Sequence, residues 1–138
     1  MNRATFQLIS ELRRREAASL LTAGHYCGAY YLAGYAVECA LKACVCKQVQ
    51  RYDFPDRKVA NEVFTHDLEK LMRLSGLARE LEKEMETNKQ LELNWAVTKD
   101  WSEASRYQPG ISEAQARDLY SACTVRKDGV LMWIRRRW

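Results

Sequence analysis

Three small groups of residues carry side chains capable of chemistry. Thr65-His66-Asp67 stands just ahead of an apolar-periodic stretch. A helix starting there would offer unpaired backbone N–H groups to an anion, with His66 as a proton donor. The competing use is local: Thr65 caps its own helix and His66 faces water. Ser105-Arg106-Tyr107 lies in a segment closed by Pro109-Gly110. There the guanidinium could grip a phosphate through two parallel hydrogen bonds while the ring stacks on a base. It could equally bond helix-end carbonyls while Tyr107 plugs the end of the fold. Glu38 and Lys42 form the third group, the only charged residues among residues 24–46. Their i,i+4 spacing with the acid first suits an intrahelical pair facing a polar groove. Buried charge is costly unless paired, so Arg106 is the preferred outside partner for Glu38.

Other familiar chemistries are missing from the chain. It contains no glycine-rich phosphate loop, no HExxH, no GxSxG and no CxxC. Four of the five cysteines fall within residues 24–46, and Cys44-x-Cys46 points two thiols to different sides of a helix. That geometry suits reduced core thiols better than a disulfide or a shared metal. With His25 and His66 the only histidines, neither a metal nor a cofactor is predicted. The net charge of +4 gathers at Arg13-Arg14-Arg15 and Arg135-Arg136-Arg137. Such triplets are usually solvated helix faces; they permit phosphate contact without establishing it.

The elements that must position these groups read as helices. Residues 24–46 alternate small side chains with Tyr26, Tyr30, Tyr31, Leu32, Tyr35, Val37 and Leu41. A helix apolar nearly all round belongs in the middle of a bundle. Two charges and four tyrosines within it argue against a membrane span. The first helix covers residues 5–21, with Leu8, Ile9, Leu12, Leu20 and Leu21 inward, and stops at Ala23-Gly24. Helix two fades over residues 48–51 and Pro55 breaks the chain, with a short turn at 58–63. A helix then runs from Thr65 to Ser75-Gly76, a charged rim segment covers 78–91, and an aromatic-rich helix covers 91–101. Ser112 and Gln115 make a capping box for a last helix that continues across Asp128-Gly129 to Trp138. The prediction is one all-α domain over residues 1–138. It is an antiparallel up-and-down bundle of four to five helices, with the second buried between the first, third and last. Charges stand where a signal peptide would be apolar, so a cytoplasmic protein is expected.

Taken together, AGHYCGAYYLAGYAVECALKA, THDLEKLMRLSGL, and SRY ahead of a final WIRRRW resemble the HEPN domain superfamily. The likeness is to single-domain bacterial and archaeal members often encoded beside a minimal nucleotidyltransferase, and it spans residues 17–134. The resemblance implies an all-α bundle that commonly dimerises through its helices. It also implies roles around RNA and nucleotides, including toxin ribonucleases of toxin–antitoxin and phage-defence systems. Those ribonucleases carry an Arg followed four to six residues later by His at the dimer cleft, and this chain has no such pair. Metal-independent RNA cleavage needs a base and an acid, for which Arg106 and Tyr107 are poorly suited. The resemblance therefore implies a non-catalytic, homodimeric binding module that engages a nucleotide, RNA or a nucleotidyltransferase. Its ligand residues would be Arg106, Tyr107, Thr65, His66, Glu38 and Lys42. Two alternatives stand beside it: a divergent ribonuclease using His66, Arg106 and Tyr107, and a purely structural scaffold.

Overall fold

A computed structural model describes residues 1–51 and 57–138; its regular structure is helical, with no strand among those residues. The first two helices are long, α1 (Arg3–Thr22) and α2 (Tyr26–Arg51). Three short ones follow, α3 (Arg57–Glu62), α4 (Leu68–Leu74) and α5 (Ala78–Met85). The chain closes with α6 (Lys89–Lys99), a 3-10 turn (Glu103–Tyr107), α7 (Glu113–Thr124) and α8 (Val130–Arg135).

Side-chain registers give the helix directions. Leu20 packs over Gly28 while the Ser10 hydroxyl donates to the Ala36 carbonyl at 2.7 Å, so α1 and α2 are antiparallel. Asn94 donates to the Asp128 carbonyl at 2.8 Å and Thr98 lies 3.8 Å from the Cys123 sulfur, so α6 runs against α7. Near the start of α2, Ala29 packs with Ala116; near its end, Lys47 donates to the Arg137 carbonyl at 2.9 Å. Thus α7 and α8 run alongside α2. The frame is an up-down-up-down bundle of α1, α2, α6 and the α7–α8 pair, with α3 to α5 inserted between its second and third members.

Burial explains why α2 is central. Ala29, Ala33, Ala36, Val37, Ala40, Leu41, Ala43, Cys44 and Val45 are all dry. Small side chains let flanking helices approach closely, and each larger apolar one contributes about 1.5–3 kcal/mol by leaving water. At Gly34 the fit admits no side chain at all, because a Cβ there would fall inside the Trp101 indole. Trp101 is 3% exposed and its ring stacks on Tyr31 at 6.1 Å between centroids.

The predicted helix stops at residues 23–24 and 75–76 are present, with Gly24 at φ +82° and Gly76 at φ +78°. The Ser112–Gln115 capping box is formed in both directions. Expectations that fall at Pro55 lie outside the described residues.

Four local expectations are corrected. On α1 the buried positions are Ser10, Ala17 and Leu21, whereas Leu8 is 62% and Leu12 42% exposed. The small-residue surface of α2 selects small partners, and Ser10 is admitted because its hydroxyl is satisfied. The fourth helix is capped by Asp67, which accepts the Lys70 N–H at 3.1 Å, rather than by Thr65. The hydroxyl of Thr65 instead accepts the Asp67 N–H at 3.2 Å, holding the turn just before. Residues 78–91 are not one segment: α5 ends at Met85, and Asn88 caps α6 by accepting the Leu91 N–H at 3.1 Å. The last helix is likewise broken at Val125, whose ψ of 137° is non-helical. Gly129 then packs so tightly that a Cβ would lie 2.5 Å from the Val125 carbonyl oxygen. Val130 and Ile134 still face the core, so the apolar phase survives the interruption.

Among the described residues, no helix is long and apolar enough to cross a membrane.

Candidate functional site

The polar site grows from one side chain of α2. Glu38 is 1% exposed, and its Oε1 accepts from Lys42 Nζ at 2.9 Å, the intrahelical pair that the spacing predicts. The same oxygen stands 3.0 Å from His66 Nδ1. On the other side of the ring, His66 Nε2 lies 3.1 Å from Glu103 Oε2. Lys42, Glu38, His66 and Glu103 therefore form a line of alternating polar groups joining α2, the approach to α4, and the 3-10 turn. A neutral imidazole owns one N–H, so both ring contacts are donated bonds only when the ring is protonated.

Local structure sets these positions. His66 is held between Thr65 and Asp67 in the turn that Thr65 closes and Asp67 converts into a helix. Glu103 opens the 3-10 turn, which Ser102 caps by accepting the Ala104 N–H at 3.2 Å. In front of the line is a cleft of about 510 Å³, lined in part by Thr65, His66, Asp67, Lys99, Trp101 and Glu103. Its charge is acid-rich: Glu69 also lines it, with Lys99 Nζ 3.6 Å away from its carboxylate. Of the backbone N–H groups that the sequence offered to an anion, that of Lys70 is met by the carboxylate of Asp67 and that of Asp67 by the Thr65 hydroxyl.

Arg106 and Tyr107 occupy the same turn as Glu103 but do not line that cleft. Residues three apart eclipse in a 3-10 turn, which puts Arg106 on the Glu103 side one turn further on. The guanidinium lies 4.9 Å from the centroid of the Tyr107 ring, and both side chains are exposed. The Tyr107 phenol beside it, and a hydrogen bond from Arg106 itself to Tyr31, push the Arg106 pKa up. The expected Arg106–Glu38 pair is not formed: Glu38 is dry and is reached by Lys42 and His66, while Arg106 stays on the outer surface with the two tyrosines.

The structure thus brings Glu38, Lys42, His66 and Thr65 together, with Arg106 and Tyr107 on the adjoining turn. Glu103 and Lys99 escaped the sequence reading. Ser102-Glu103, a capping residue followed by an acid, was a legible turn signal, but nothing local marks its contact with His66. Among the described residues, no group of three or more His, Cys, Asp or Glu is placed to hold a metal ion.

Compared with known proteins, the chain is matched by no family model, no curated protein and no solved structure.

Proposed function

We propose that this chain is a non-catalytic, HEPN-like binding module that grips the phosphate of a nucleotide or of RNA with Arg106 and stacks a base on Tyr107. The observation that carries this reading is the Arg106–Tyr107 pair itself. It is a guanidinium over a ring that is 76% exposed, on a turn braced against α2, with no ion pair to Arg106 among the described residues. Planar guanidinium forks suit phosphate, and exposed rings suit bases of any sequence. The motif likeness and the helical architecture support the same class. By the same likeness, a second copy of the chain and a nucleotidyltransferase are its protein partners. The outward Leu8 and Leu12 of α1 support contact with a second copy.

The divergent ribonuclease reading is weaker. His66 has both ring nitrogens within hydrogen-bond distance of carboxylates, so the ring is engaged with protein groups rather than presented to a 2′-OH.

Isothermal titration with ATP and with a short single-stranded RNA tests the proposal. Binding is expected, and Arg106→Ala should weaken it about tenfold or more, as loss of a charge-assisted bidentate contact does. Absence of binding, or equal affinity in the variant, would overturn it; a variant that only loses thermal stability would favour the scaffold reading. Light scattering on the same samples should give the mass of a dimer, and a monomer mass would remove the second copy.

A further inference from the structure

We propose that His66 is a proton-dependent clasp that fastens the Glu103–Tyr107 turn to α2. Its meaning for ligand binding rests on the Arg106–Tyr107 reading above; the clasp itself rests on geometry alone.

The imidazole spans two carboxylates of unequal freedom. Glu38 is buried and already fixed by Lys42 at 2.9 Å, whereas the Glu103 side chain is 37% exposed on a short turn. The cleft in front of the ring also holds Asp67, the cap of α4, Glu69 of α4 and Lys99 at the end of α6, while Arg106, one turn beyond Glu103, lies outside it. In the imidazolium form both N–H groups donate, and the turn is tied to the bundle centre through two charge-assisted bonds. When the proton leaves to solvent, one nitrogen keeps its hydrogen and the other turns a lone pair toward a carboxylate oxygen. Burial decides which contact survives. A dry carboxylate deprived of a donor is penalised far more than one that water can reach. The surviving bond therefore goes to Glu38, and Glu103 is let go. Ser105 stays buried and Trp101 stays seated over Gly34, so the turn loosens without leaving the bundle. Falling pH fastens the grip of Arg106 and Tyr107; rising pH frees it.

Imidazole NMR on the full chain reports the protonation of His66, resolved from His25, while amide hydrogen exchange over residues 103–107 reports the turn across the same pH values. After correction for intrinsic exchange, protection should fall about threefold to tenfold as the His66 ring loses its proton, the size of a partly screened charged hydrogen bond. His66→Gln, which cannot take up a proton, should show low protection with no such step. Glu103→Gln retains His66 and should lower protection in the imidazolium form, which keeps the test intact if the first variant folds poorly. Protection that stays level through the His66 titration, or a step retained in His66→Gln, overturns the clasp. A step that follows His66 in a protein that never binds ATP or RNA upholds the clasp and removes the Arg106 reading instead.

Discussion

Gly34 and Glu38 lie one turn apart on the same helix and receive incoming side chains in opposite ways. Gly34 is a notch that Trp101 fills, a contact defined by the absence of atoms. Glu38 is a buried carboxylate that Lys42 pairs and His66 reaches at hydrogen-bond distance, a contact defined by the presence of partners. The first tolerates no added volume and involves no charged group. The second can shift in geometry yet cannot lose a partner without exposing a desolvated ion to an apolar surrounding.

Three measurements would break or sharpen that contrast. The largest effect is expected at the notch: Trp101→Ala should cost about 3–5 kcal/mol by urea denaturation, the range for deleting a buried aromatic. Gly34→Ala alone should cost about 1–3 kcal/mol through overpacking, but much less once Trp101 is gone. Additive losses in the double variant would show that the two positions are not one contact. Next, Glu38→Ala should cost about 2 kcal/mol, below the usual penalty for a broken buried pair because His66 is partly open to water. An unchanged denaturation midpoint would mean that the pair contributes nothing net. The smallest effect concerns thiols on the dry side. Burial pushes Cys39 and Cys44 up to about 11 and Cys123 up to about 12, from an ordinary value of 9.0. Alkylation of the native protein at pH 8 should therefore spare these three and label the half-buried Cys27 first. The sign for stability follows: a raised folded pKa means that the unfolded thiols release protons first. Their contribution is full below about pH 9 and is lost between about pH 9 and 11 for Cys39 and Cys44 and up to about pH 12 for Cys123. Early labelling of Cys123 by mass spectrometry would contradict the dry core.

Much of the scaffold was legible because its signals are local. Gly24 and Gly76 mark helix ends by their backbone freedom, Ser112 and Gln115 by a reciprocal cap, and residues 26–46 by an apolar surface on nearly every side. Interruptions were harder to see where both halves of a helix kept their apolar phase. Val130 and Ile134 face the core in register with Leu119 and Cys123, so periodicity alone could not reveal the turn between them. Asn88 did carry a cap signal, but it was submerged in a run of charge that reads as one rim helix. Thr65 and Asp67 are both good caps, and only the hydrogen bond to Lys70 separates them. At the site, the Glu38–Lys42 pair follows from spacing. The approach of His66 does not, since it joins residues from separate elements and depends on how α4 is seated. Charge matching therefore suggested Arg106 as the partner of Glu38, when the histidine was nearer.

The notch at Gly34 also constrains how this chain can be rebuilt. A missing side chain on one helix and an indole at the end of another behave as a tongue and groove, so neither can be exchanged singly without loss of stability. Any redesign that enlarges position 34 must shrink position 101 in the same step. Because Glu103 follows Trp101 by two residues, the depth to which that indole sinks also sets how near the turn can stand to His66.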